Sequence, residues 1–176
     1  MRTIRLVIAL LAIAGCAATS GADEADGSVF EAVEPGTLSA PSDEVVLELV
    51  ADGRSVEWTL AELEAVDLVR LSIHEPFVDA PSVFEGPRLA AVLSAVGVEA
   101  DAEATLELVA LDGYTYSLSA EEAIGSDGLL ATRERGGVLP IDAGGPIRLV
   151  FSDGSELAAE RRLDAWVWSI TRVEVG

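Results

Sequence analysis

Thr105-Leu106-Glu107-Leu108-Val109-Ala110-Leu111 and Tyr114-Thr115-Tyr116-Ser117-Leu118 flank the pair Asp112-Gly113. Apolar and polar residues interleave on both sides, as in strands with one buried face. Asp-Gly accepts the positive backbone angles of a two-residue turn, so the stretch predicts an antiparallel hairpin. Ser119-Ala120-Glu121-Glu122 follows at once with capping-box spacing, in which a hydroxyl and a carboxylate satisfy the first free amides of a helix. A hairpin running directly into a short helix, without regular strand-helix-strand crossovers, points to an α+β fold with mixed, largely antiparallel sheets.

The same pattern extends outward. Upstream, Val45 to Val50 and Ser55 to Trp58 flank Asp52-Gly53 as a second hairpin, and Thr59-Leu60-Ala61-Glu62 caps a short helix ending near Val66. Leu68 to His74 alternates as a strand. Pro87 to Val96 places Leu89, Val92, Leu93 and Val96 on one helical face, stopped by Gly97. Downstream, Gly136-Gly137 and Gly144-Gly145-Pro146 mark turns. A strand at Ile147 to Phe151, an Asp153-Gly154 turn and a terminal strand near Trp168 to Val175 follow, with no internal repeat.

The N-terminus has a different character. Arg2 and Arg5 precede an apolar run from Leu6 to Ala14, and Gly15 precedes the single cysteine, Cys16. This order reads as a signal peptide over residues 1–15, too short for the roughly 20 residues of a membrane-spanning helix. Ile13-Ala14-Gly15-Cys16 resembles the lipobox of bacterial lipoproteins, which implies lipidation of Cys16 and an exported domain held to a membrane through that lipid. Residues 16–43, rich in Gly, Ala, Ser, Asp, Glu and Pro, read as a flexible acidic tether. Residues 44–176 read as one domain.

Every basic residue is Arg, and the formal net charge is −20. Nucleic-acid binding is excluded, because phosphate contacts need clustered cations. Metal sites of the usual kind need grouped thiolates, imidazoles or carboxylates, yet the domain holds no cysteine and one histidine, His74. No Gly-x-Ser-x-Gly elbow accompanies that histidine, and the glycine pairs lack the P-loop lysine and Rossmann spacing. The residues therefore propose no metal ligands and no catalytic group.

Several blocks in order resemble the molybdopterin-binding domain of the sulfite oxidase type, in its small stand-alone bacterial form. They are Phe84-Glu85-Gly86-Pro87-Arg88-Leu89, Ala110-Leu111-Asp112-Gly113-Tyr114, Leu129-Leu130-Ala131, Gly137-Val138-Leu139-Pro140, Gly144-Gly145-Pro146-Ile147-Arg148-Leu149-Val150 and Trp166 to Val175. The resemblance implies that family's compact α+β fold and a pocket near the Asp112-Gly113-Tyr114 turn and the Gly-Pro-x-Arg strand. It also brings departures. Where catalytic members carry a molybdenum-binding cysteine this chain has Leu71-Ser72-Ile73-His74, the family's His-Gly-x-Pro-x-Arg becomes Ala143-Gly144-Gly145-Pro146-Ile147-Arg148, and Lys-Trp becomes Ala165-Trp166.

Those losses remove a metal thiolate and cations that neutralise the pterin phosphate. Arg135, Arg161 and Arg162, with Arg133, are the cations open to replace them. Asp112, Tyr114, Arg133 and Arg148 are the candidate pocket residues. The expectation is a lipid-anchored envelope module without the catalytic molybdenum centre or any cofactor, binding a small molecule or an envelope protein. The alternative is a molybdenum-pterin-dependent oxidoreductase with atypical ligation.

Overall fold

A computed structural model describes residues 29–33, 38, 43–98 and 103–176. The expected signal peptide and Cys16 lie outside these residues. The fold is α+β, built from three mostly antiparallel sheets and short helices.

The hairpin around Asp112-Gly113 is present as β6 (Thr105–Ala110) and β7 (Thr115–Ser119). Its turn contains Gly113 at φ +86°, a conformation that costs a residue with a Cβ. The upstream hairpin is β2 (Val45–Ala51) with β3 (Arg54–Thr59). The C-terminal strand, β12 (Ile170–Val175), lies between these hairpins, parallel to β2 and antiparallel to β6. One sheet thus has the order β3-β2-β12-β6-β7.

Both capping boxes form. Thr59 and Glu62 cap α1 (Leu60–Val66), and Ser119 and Glu122 cap α3 (Ala120–Gly125). Between them, α2 (Leu89–Ala95) buries Leu89, Val92 and Leu93 completely. Burial of each is worth roughly 1.5–3 kcal/mol against an exposed position. Gly97, at φ +85°, turns the chain away after this helix.

The second large sheet contains β4 (Val69–Glu75) and β5 (Ala80–Gly86), followed by the short β9 (Arg133–Glu134) and β10 (Gly137–Val138). Its outer strand is β1 (Phe30–Ala32), paired antiparallel with β4 through Phe30 and Leu71. Part of the 16–43 segment read as a free tether is therefore docked on the domain. The sequence hides this because three residues of strand carry no periodicity, and one aromatic, Phe30, supplies the packing.

The third sheet pairs β8 (Gly128–Ala131) with β11 (Arg148–Phe151), and every residue of both strands is buried. It is joined to β5 by Leu130 N–H donating to the Pro87 carbonyl and Thr132 N–H donating to the Glu85 carbonyl, both at 2.9 Å. A Cβ on Gly86 would stand 2.1 Å from the Leu130 carbonyl oxygen. The glycine in Phe84-Glu85-Gly86-Pro87 thus lets two backbones meet.

Candidate functional site

Alternation along β4 sends Leu71 and Ile73 inward, and two residues later it does the same to Glu75. The Glu75 carboxylate meets the guanidinium of Arg148, the first residue of β11, in an ion pair whose side chains are 3% and 6% exposed. Its other oxygen accepts from the Val78 N–H at 3.0 Å. Burial lowers the pKa of Arg148, while the hydrogen bond and charge of Glu75 oppose that effect, joined by the charge of Glu134. The guanidinium also stacks 4.3 Å from the Trp168 ring centroid and lies 5.4 and 5.5 Å from those of Phe84 and Phe77.

Above this pair lies a cleft of about 360 Å³. The β6–β7 turn contributes Asp112 and Tyr114, the β4–β5 connection contributes Phe77, and the segment leading into β12 contributes Asp164, Trp166 and Trp168. The turn is stiffened by the Tyr114 N–H, which donates to Asp112 Oδ1 at 2.9 Å. Tyr114 Oη donates across the cleft to the Asp164 carbonyl at 2.9 Å. Its phenol is held above the ordinary pKa, first by loss of water and then by the charge of Asp164, with a smaller contribution from the neighbouring Tyr116.

The rings are fixed by their surroundings. Trp166 Nε1 donates to the Leu157 carbonyl at 3.0 Å. Phe77 stands edge-on to Trp168 and Trp166, with centroids 5.3 and 6.1 Å apart. Gly144, at φ +85°, brings bare backbone against Trp168, where a Cβ would come within 3.0 Å of the indole.

Of the four candidate residues, the cleft brings together Asp112 and Tyr114. Arg148 packs against Trp168 without lining the cleft. Arg133 is fully buried elsewhere, its Nε and Nη2 donating to Glu64 at 2.8 and 3.1 Å. Of the other cations open to a phosphate, Arg162 donates to Tyr116 and Glu122 and Arg135 to the Pro81 carbonyl, while Arg161 is exposed and does not line the cleft. Among the described residues, no group of three or more His, Cys, Asp and Glu is arranged to hold a metal ion. His74 bonds through Nε2 to Asp79 at 2.8 Å.

Phe77, Asp164, Trp166 and Trp168 escaped the sequence reading as a site. The available signal was Trp166-Val167-Trp168, two of the three tryptophans spaced so that an extended backbone turns both to one side.

A family described as the oxidoreductase molybdopterin binding domain matches residues 44–155. No curated protein matches the chain by sequence. Among solved structures, the sulfane dehydrogenase SoxCD of Paracoccus pantotrophus is similar, with a TM-score of 0.55 and 16% identity. The likeness covers 73% of this chain and 37% of that one. This chain thus spans well under half of the SoxCD chain it resembles, and the likeness is one of fold.

Proposed function

Since the chain belongs to the oxidoreductase molybdopterin binding domain family, we propose that it is an exported, lipid-anchored member that has given up the molybdenum centre and uses the aromatic cleft to bind a ligand. The observation carrying this reading is the buried Glu75–Arg148 pair. Arg148 is the one cation retained from the family's His-Gly-x-Pro-x-Arg pattern, and an internal carboxylate already neutralises it. A pterin phosphate would have to displace Glu75 and leave that carboxylate buried without a counter-charge, which is strongly unfavourable.

The residues present do not fit the cofactor in two further respects. The only cysteine in the chain is Cys16, far in sequence from the β4 region where the family supplies its thiolate. The cleft beside Arg148 is faced by Asp112 and Asp164, which oppose an anion. The lipid anchor rests on Ile13-Ala14-Gly15-Cys16 after a basic and apolar leader. Among the described residues no helix is long and apolar enough to cross a membrane.

One preparation tests both parts. The full-length protein, expressed with its leader in a bacterial host that makes the cofactor, should carry far less than one molybdenum per chain by elemental analysis and should incorporate labelled lipid. Incorporation should vanish in Cys16→Ser. Stoichiometric molybdenum with an oxidised-pterin fluorescence signature would overturn the non-catalytic reading in favour of an oxidoreductase with atypical ligation. Lipid label persisting in Cys16→Ser would overturn the anchor.

A further inference from the structure

We propose that the cleft takes a small alkylated ammonium cation, of which choline and tetramethylammonium are the simplest probes. This rests on the reading that the cleft is a ligand site, and it names the chemistry of the ligand.

Four aromatic side chains, Phe77, Tyr114, Trp166 and Trp168, line a cleft of about 360 Å³. That lies at the small end of the roughly 300–1,000 Å³ typical of ligand pockets. Aromatic faces carry negative electrostatic potential and attract cations, most strongly at tryptophan. A quaternary ammonium sheds water easily, so its methyl groups bury against rings while its charge is met by their faces.

The counter-charge is also present. Asp112 and Asp164 are exposed at the cleft, and among the described residues neither is ion-paired to an arginine. The nearby guanidinium of Arg148 is neutralised by Glu75, so the pair as a whole brings no net positive charge against a cation in the cleft. The formal charge of −20 biases the encounter in the same direction.

Other ligand classes fit less well. An anion meets two carboxylates. A hard divalent ion wants six or more oxygens, whereas this lining is mostly carbon. A phosphocholine headgroup adds a phosphate that the same carboxylates repel, which favours a free cation over a lipid headgroup. The rings are already held by Gly144, Leu157 and one another, so little ordering is left to occur on binding.

Titration of the full chain with choline, followed by tryptophan fluorescence and calorimetry, should show saturable one-to-one binding. The neutral carbon isostere 3,3-dimethylbutan-1-ol should bind at least about tenfold more weakly, as should choline to Trp168→Leu. Asp164→Asn, an isosteric change at an exposed position, should weaken choline binding without altering the melting temperature. Phosphocholine should bind less tightly than choline. Equal affinity for the neutral isostere, tighter binding of phosphocholine, or no binding of either cation would overturn the assignment. Binding of the isostere or of methyl glucoside without cation preference would do so while leaving the ligand-binding reading intact. Stoichiometric molybdenum is the separate result that removes that reading.

Discussion

At the scale of single residues, the decisive contact joins two groups separated by 73 positions in sequence, Glu75 and Arg148. Removing one member of a buried ion pair leaves the other charged and unpartnered. Glu75→Ala should therefore cost about 3–5 kcal/mol in urea unfolding, and Glu75→Leu combined with Arg148→Met should regain most of that loss. If Glu75→Ala unfolds at the wild-type midpoint, the pair is not formed as described. The resemblance named Arg148 as a pocket residue but gave no sign of its partner, for a specific reason. The strand read from Leu68 to His74 stops one residue short of the observed end, and the missing residue is the inward-facing Glu75. A boundary error of one position concealed the group that occupies the guanidinium. The turn that carries Asp112 and Tyr114 was legible locally and the resemblance marked it as pocket-side, whereas Trp168 joins them only through the path of the chain leading into β12.

At the scale of elements, signals closed within a few residues translated directly into structure. Both capping boxes, both Asp-Gly hairpins and the buried face of α2 are of this kind. β5 did not translate, because Ala80-Pro81-Ser82-Val83-Phe84-Glu85-Gly86 has no clean alternation and ends with three consecutive buried residues. Its pairing on both sides determines it, and pairing is a long-range property. The α1 cap gives a test at this scale. The Thr59 amide, and next its hydroxyl, hold Glu62 below the usual carboxylate value of 4.5. A carboxylate depressed in the folded state adds stability above its unfolded pKa and loses it as pH falls through the folded value. Glu62→Gln should thus be less stable than wild type at neutral pH, and the difference should close as pH falls below 4.5. Urea midpoints of the two proteins over a pH series measure this; a gap that stays constant into acid would show that the Glu62 charge adds nothing to the cap.

At the scale of the whole molecule, β1 covers the outer edge of β4 and sets Phe30 against the core, with the Arg88 guanidinium carbon 5.9 Å from its ring centroid. A chain beginning at Glu44 keeps the main core but loses this cover. It should melt a few degrees below a chain beginning at Val29, corresponding to about 1–2 kcal/mol. Equal melting temperatures would show that the strand adds nothing to stability. The same docking changes the geometry of anchoring. With a lipid on Cys16, a leash running to Glu44 would have a contour of about 100 Å, but one ending at Phe30 has only about 50 Å. The depth explored by a flexible leash grows roughly as the square root of its length, so this shortening would raise the domain's density beside the bilayer about 1.4-fold. A three-residue strand with little hydrophobic weight would thereby hold the cleft to the layer of solvent nearest the lipid.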